Sequence, residues 1–151
     1  MTSDKAVISI LKEQINTYKT LLDLLKRERT YLVDIDPEKV EEISKEKDTI
    51  VMRLRLLEEE RLRLMKKYAE DNGIRSDLRL EDMGKLTGND MFSAIRSQLV
   101  SLLQSIEEMN KFNGVLIDRS LKHIRVTSGF FNSFTAHHIS QTTGVLLSKE
   151  S

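Results

Sequence analysis

Apolar residues return every three or four positions along three long stretches of this chain, and that spacing restricts the fold to packed helices. The last stretch is the most informative. Between Asn89 and Phe134 the residues Ile95, Leu99, Leu102, Leu103, Ile106, Met109, Leu116, Ile117, Leu121 and Ile124 fall on one helix face. Two amides, Asn110 and Asn113, stand on the same stripe, and Gly114 follows them with a bare backbone. Such a face suits holding another helix and supplies nothing that looks like chemistry. Its amides have two uses that stay open at this point. A buried amide penalises every alignment that leaves it unpaired, which sets register, and the same amide in a groove hydrogen-bonds a bound helix.

The first long helix is expected to start near Ser3 or Asp4 and to reach about Val33. Ile8, Leu11, Ile15, Tyr18, Leu22, Leu25 and Leu32 keep heptad spacing along it, with Arg29 the one polar member of the seam. Leu21, Leu24 and Tyr31 widen the stripe, as a helix with more than one neighbour requires. Asp36 then Pro37 and Glu38 spell a helix start, so the second long helix begins there after a connection short enough for a hairpin. Its seam reads Val40, Ile43, Lys47, Ile50, Leu54, Leu57, Arg61, Leu64 and Tyr68, with Lys47 and Arg61 expected to carry their heads out to solvent on long stems ahead of the alternative, a built ion site. Asp71-Asn72-Gly73 closes it.

Before the third long helix there is room for a short one after Ser76 or Asp77, pinned by Leu78, Leu80, Met83 and Leu86. Asn89 or Asp90 caps the third long helix. Although Asn113-Gly114 is also a turn signal, the apolar phase persists through it, which predicts one helix to about Thr127. At about 1.5 Å per residue the second and third long helices are near 50 and 57 Å, matched well enough to lie side by side. The fold class is all-α: an antiparallel, coiled-coil-like bundle of three main helices with a short helix between the second and third. Residues 1–127 form the bundle domain, and 128–151 form a weakly ordered tail whose order depends on a partner.

Composition excludes more than it assigns. Lys and Arg number 24 and Asp and Glu number 24, so no basic excess is available for a nucleic acid. Cysteine is absent, which removes disulfides, thiol nucleophiles and thiolate metal sites. The N-terminal residues are polar and amphipathic, unlike a secretion signal, and no apolar run reaches the roughly 20 residues of a membrane span. A cytoplasmic protein is expected. His123, His137 and His138 lack metal-ligand spacing, and no nucleotide-binding or hydrolase motif occurs, so neither catalytic residues nor cofactors nor metals are expected. From Val126 to Ser148 there is no formal charge at all, while Phe130, Phe131 and Phe134 sit at the near end of that stretch. Those aromatics need cover from the chain's own groove or from another protein.

Two helices with a Lys/Glu-rich second arm, a short intervening segment and a third helix bearing Asn110-Lys111-Phe112-Asn113-Gly114-Val115-Leu116-Ile117-Asp118 resemble the flagellar export chaperones of the FlgN type. The likeness covers residues 4 to 127. It implies a bacterial cytosolic chaperone that binds the amphipathic C-terminal helices of hook-filament junction proteins, holds them unassembled and presents them to the cytosolic domain of the export gate. The client surface expected on this basis comprises Leu103, Ile106, Met109, Asn110, Asn113, Ile117, Leu121 and Ile124. Members of the family carry an aromatic shortly before a tail glycine, whereas Thr142-Thr143-Gly144 has none, which moves tail or gate contact to Phe130, Phe131 and Phe134. The alternative is a structural or adaptor bundle that self-associates through the third long helix as a homo-oligomer.

Overall fold

The computed structural model describes residues 3–75 and 77–123, the last four of them by backbone alone. Among the described residues there are four helices: α1 (Ser3–Val33), α2 (Pro37–Asp71), α3 (Leu80–Thr87) and α4 (Met91–His123). Three are long and one is short, in the expected order.

Local chemistry sets the boundaries. The Asp36 carboxylate accepts from the Lys39 N–H at 3.2 Å, and Pro37 occupies the first helical position of α2. Two helix ends close by the same double hydrogen bond, in which a left-handed residue turns the chain back on the last carbonyls. After α2 the left-handed residue is Gly73, with Ile74 N–H donating to Ala69 O and Gly73 N–H to Glu70 O. After α1 it is Ile35, at φ 51°, with Asp36 N–H donating to Tyr31 O and Ile35 N–H to Leu32 O. At the start of α3 the Asp82 carboxylate accepts from Arg79 N–H at 2.9 Å, and at α4 the Asn89 side chain accepts from Met91 N–H at 3.0 Å. Of the two candidate caps before α4, Asn89 is the one used.

α1 is the shared partner. It packs against α2 on one side and α4 on the other, and α3 lies on α4. α4 therefore sits beside α1 and runs in the same direction, with Asn113 near Leu25; its main interface is not with α2, the neighbour that matched helix lengths suggested. The wide stripe of α1 follows from these two neighbours. Val7, Leu11, Gln14, Tyr18, Leu21 and Leu25 are all 0 % exposed and form the centre line between α2 and α4. Ile8, Ile15 and Leu22, expected at the middle of the seam, flank that line. The shift of one residue carries polar groups inward: Glu28 is buried where Arg29 was expected, and Arg29 is exposed.

Apolar contacts form two clusters. The larger joins all four helices through residues such as Leu11, Tyr18, Leu54, Met65, Met83, Phe92, Ile95 and Ile106. The smaller holds Leu32, Val40 and Ile117 at the far end of the bundle. α3 contributes Met83 at 0 % exposed, with Leu78 and Leu80 partly buried, whereas Leu86 points outward at 51 % exposed and does not help to pin it. α4 continues unbroken through Gly114, which the persistent apolar phase required. The expected end at Thr127, and the tail beyond it, lie outside the described residues.

Candidate functional site

Between the two apolar clusters lies a polar layer that ties three helices together. Asn113 on α4 donates through Nδ2 to Leu25 O at 2.8 Å and to Glu28 Oε1 at 2.9 Å. The other oxygen of Glu28 accepts from Lys47 Nζ on α2 at 2.9 Å, with the two side chains 4 % and 2 % exposed. Lys47 thus does not reach solvent: its stem and ammonium are both inside, because a carboxylate is already there to receive the charge. Arg61 is also buried, against the expectation of an exposed head. It donates to the Glu58 carboxylate one turn earlier and, through Nη1, to Met65 Sδ at 3.3 Å. Burial first, and the Glu58 carboxylate second, hold the nearby Tyr18 phenol far above its ordinary range, so it stays neutral.

The expected client face on α4 divides under this geometry. Ile106, Asn110, Asn113 and Ile117 are buried and turn toward α1. Leu103 and Met109 are half-buried at the two edges of that seam. Leu121 lies in the part of α4 described by backbone alone, while Ile124, Phe130, Phe131 and Phe134 lie outside the described residues. The amide of Asn113 belongs to the internal packing, which is one of its two readings, and Asn110 is buried beside it with its Oδ1 unpartnered among the described residues.

What remains accessible on α4 is an edge. Leu102, Met109 and Leu116 recur at heptad spacing and are half-buried, and Phe112 and Val115 beside them are each 49 % exposed. Among the described residues that stripe is an open apolar edge of a helix whose opposite side is seated on α1. The other edge of α4 borders a cleft of about 330 Å³ whose lining includes Gln14, Arg61, Leu80, Leu99, Val100 and Leu103. Sequence reasoning missed Gln14 and Glu28 altogether. The signal was available in the uninterrupted heptad Val7, Leu11, Gln14, Tyr18, Leu21, Leu25, Glu28, Leu32, which competes with the more apolar seam that takes Ile8, Ile15, Leu22 and Arg29 at the alternate positions.

Among the described residues no cluster of His, Asp and Glu could hold a metal ion, and no helix is long and apolar enough to cross a membrane. Among the described residues the fold is all-helical, and α4 leaves an apolar edge in part open to solvent. The chain belongs to the FlgN protein family, the family of flagellar export chaperones, whose sequence model matches residues 1–142. No curated protein and no solved structure matches it. The family is one of chaperones rather than enzymes, in keeping with a site built from apolar edges and buried amides.

Proposed function

We propose that this chain binds the amphipathic C-terminal helices of hook-filament junction proteins in the cytoplasm, keeps them from assembling, and presents them to the cytosolic domain of the export gate. Family membership supports the chaperone role. The observation that carries the client site is the half-open stripe of α4, where Leu102, Met109 and Leu116 line up with Phe112 beside them. A client helix lays its apolar side along this edge in helix-in-groove fashion. Met109 is a direct contact in this reading, and Ile106, Asn110, Asn113 and Ile117 hold α4 on α1 from beneath. Each well-buried apolar anchor contributes about 1.5 to 3 kcal/mol before ordering costs, so a few suffice for capture and still permit release without nucleotide.

Calorimetric titration with the C-terminal helical segment of a hook-filament junction protein from the same bacterium tests this. Phe112→Asp should weaken binding by about 10-fold or more, the equivalent of one lost anchor. The thermal midpoint of the free chain should stay where it is, because Phe112 is half in solvent. Wild-type protein that ignores the peptide, or a variant that binds it equally well, sinks the proposal. Sedimentation of the same samples separates client binding from self-association through this edge.

A further inference from the structure

Gln14 is an anomaly of the core. It sits on the centre line of α1 at 0 % exposed, and among the described residues neither its Oε1 nor its Nε2 has a hydrogen-bond partner. A buried carboxamide with neither group paired is unfavourable, and an apolar side chain of the same shape would be at least as stable there. The residue is therefore costly to the free chain. It also lines the cleft bounded by α2, the start of α3 and α4, beside an apolar wall of Leu99, Val100 and Leu103, with the exposed Arg79 and Arg96 in the lining. On α4 the cleft residues lie across the buried seam from Leu102, Met109 and Leu116, so the two edges of α4 face different ways.

From this we infer that the cleft is a second client contact, a socket for a carboxamide side chain, Asn or Gln, carried by a second amphipathic helix of the client. This rests on the chaperone reading above and adds a place and a chemistry to it. An amide presents one donor and one acceptor in a plane, which is what the Gln14 carboxamide lacks and, on turning its end into the cleft, can return as two reciprocal hydrogen bonds. The residues from Arg96 to Glu107 line the cleft along about 16 Å of α4, a length that accommodates three turns of a packed helix. Leu99, Val100 and Leu103 receive its apolar side. Arg61 and Arg96 in the lining already pair with Glu58 and Glu81, so what the cleft asks of a partner is the carboxamide and an apolar face. A client with two helices thus straddles α4, one on each edge.

The test is Gln14→Met in the full chain, an unbranched replacement of nearly the same shape. Stability of the free protein should hold or rise, while affinity for a client segment containing both helices should fall about five- to tenfold, the worth of a well-made hydrogen-bond pair. Ala replacements of each Asn and Gln in the client then locate the partner: one of them should cost affinity in the wild type and nothing further in Gln14→Met. The loss should add to that of Phe112→Asp, because the two sites share no contacts. Unchanged affinity overturns the socket while leaving the stripe intact, and failure of the wild type to bind any client removes both. A lowered thermal midpoint in Gln14→Met assigns the carboxamide to internal packing. A wild-type dimer that Gln14→Met dissociates assigns the cleft to a second copy. Either result overturns the inference.

Discussion

Glu28 is the residue on which three helices meet. One carboxylate oxygen takes the ammonium of Lys47 from α2, and the other takes the amide of Asn113 from α4. Buried ion pairs seldom add net stability over an apolar replacement, but removing one member leaves an uncompensated charge in a low-dielectric interior. Lys47→Met should accordingly lower unfolding stability by about 3 to 5 kcal/mol. Combining it with Glu28→Gln, which keeps an acceptor for Asn113, should restore a large part of that loss. Urea unfolding of the two single variants and the double variant measures the coupling; strict additivity would show that the pair is not felt as a pair. The exposed ion pairs Arg27–Glu46 and Arg53–Glu13 also bridge α1 and α2, but their solvated side chains make each worth little.

At the scale of elements, the α1–α2 connection is the most economical piece of the fold and carries a visible cost. Its three residues reverse the chain through the left-handed Ile35, a conformation that β-branched residues rarely adopt, while Asp36 closes α1 through its N–H and caps α2 through its carboxylate. Ile35 is half exposed, so its side chain recovers little by burial. Ile35→Gly should raise stability by about 1 kcal/mol, visible as a higher midpoint in thermal unfolding, because the backbone conformation is free to glycine. An unchanged or lowered midpoint would mean that the lost constraint on the unfolded chain outweighs the relieved strain. The corresponding position after α2 is already Gly73.

For the whole molecule, the polar layer divides a large core from a small one. Ile95, Leu99 and Ile106 hold α4 against the larger cluster, whereas beyond Asn113 it is held by Ile117 against Leu32 and Val40. Hydrogen exchange should therefore show the α4 amides past Ile117 opening at lower free energy than those between Ile95 and Ile106. Equal protection along the helix would contradict the division. Much of this architecture was legible in the residues: Asp36-Pro37, Asn72-Gly73 and Asn89 marked ends that the structure uses, and the α4 stripe predicted a helix that Gly114 does not break. The site was legible only in part. The α4 stripe was visible, but which of its members stay open depends on where α1 sits.

The sequence by itself determined the four helices and the hairpin, because capping, proline placement and apolar periodicity act between residues close along the chain. Tertiary structure alone decided that α1 is the central helix, that α4 packs on α1 instead of α2, and that the centre line of α1 runs through Gln14 and Glu28. Two heptad seams that share Leu11, Tyr18, Leu25 and Leu32 and differ by one residue at the positions between are nearly equal in apolar content, and only the positions of two neighbouring helices select between them. The same selection buries Lys47 and Arg61 and seals Asn113 inside. Whether a long polar side chain reaches water or a partner is a question of what stands opposite it, and that residue lies on another helix.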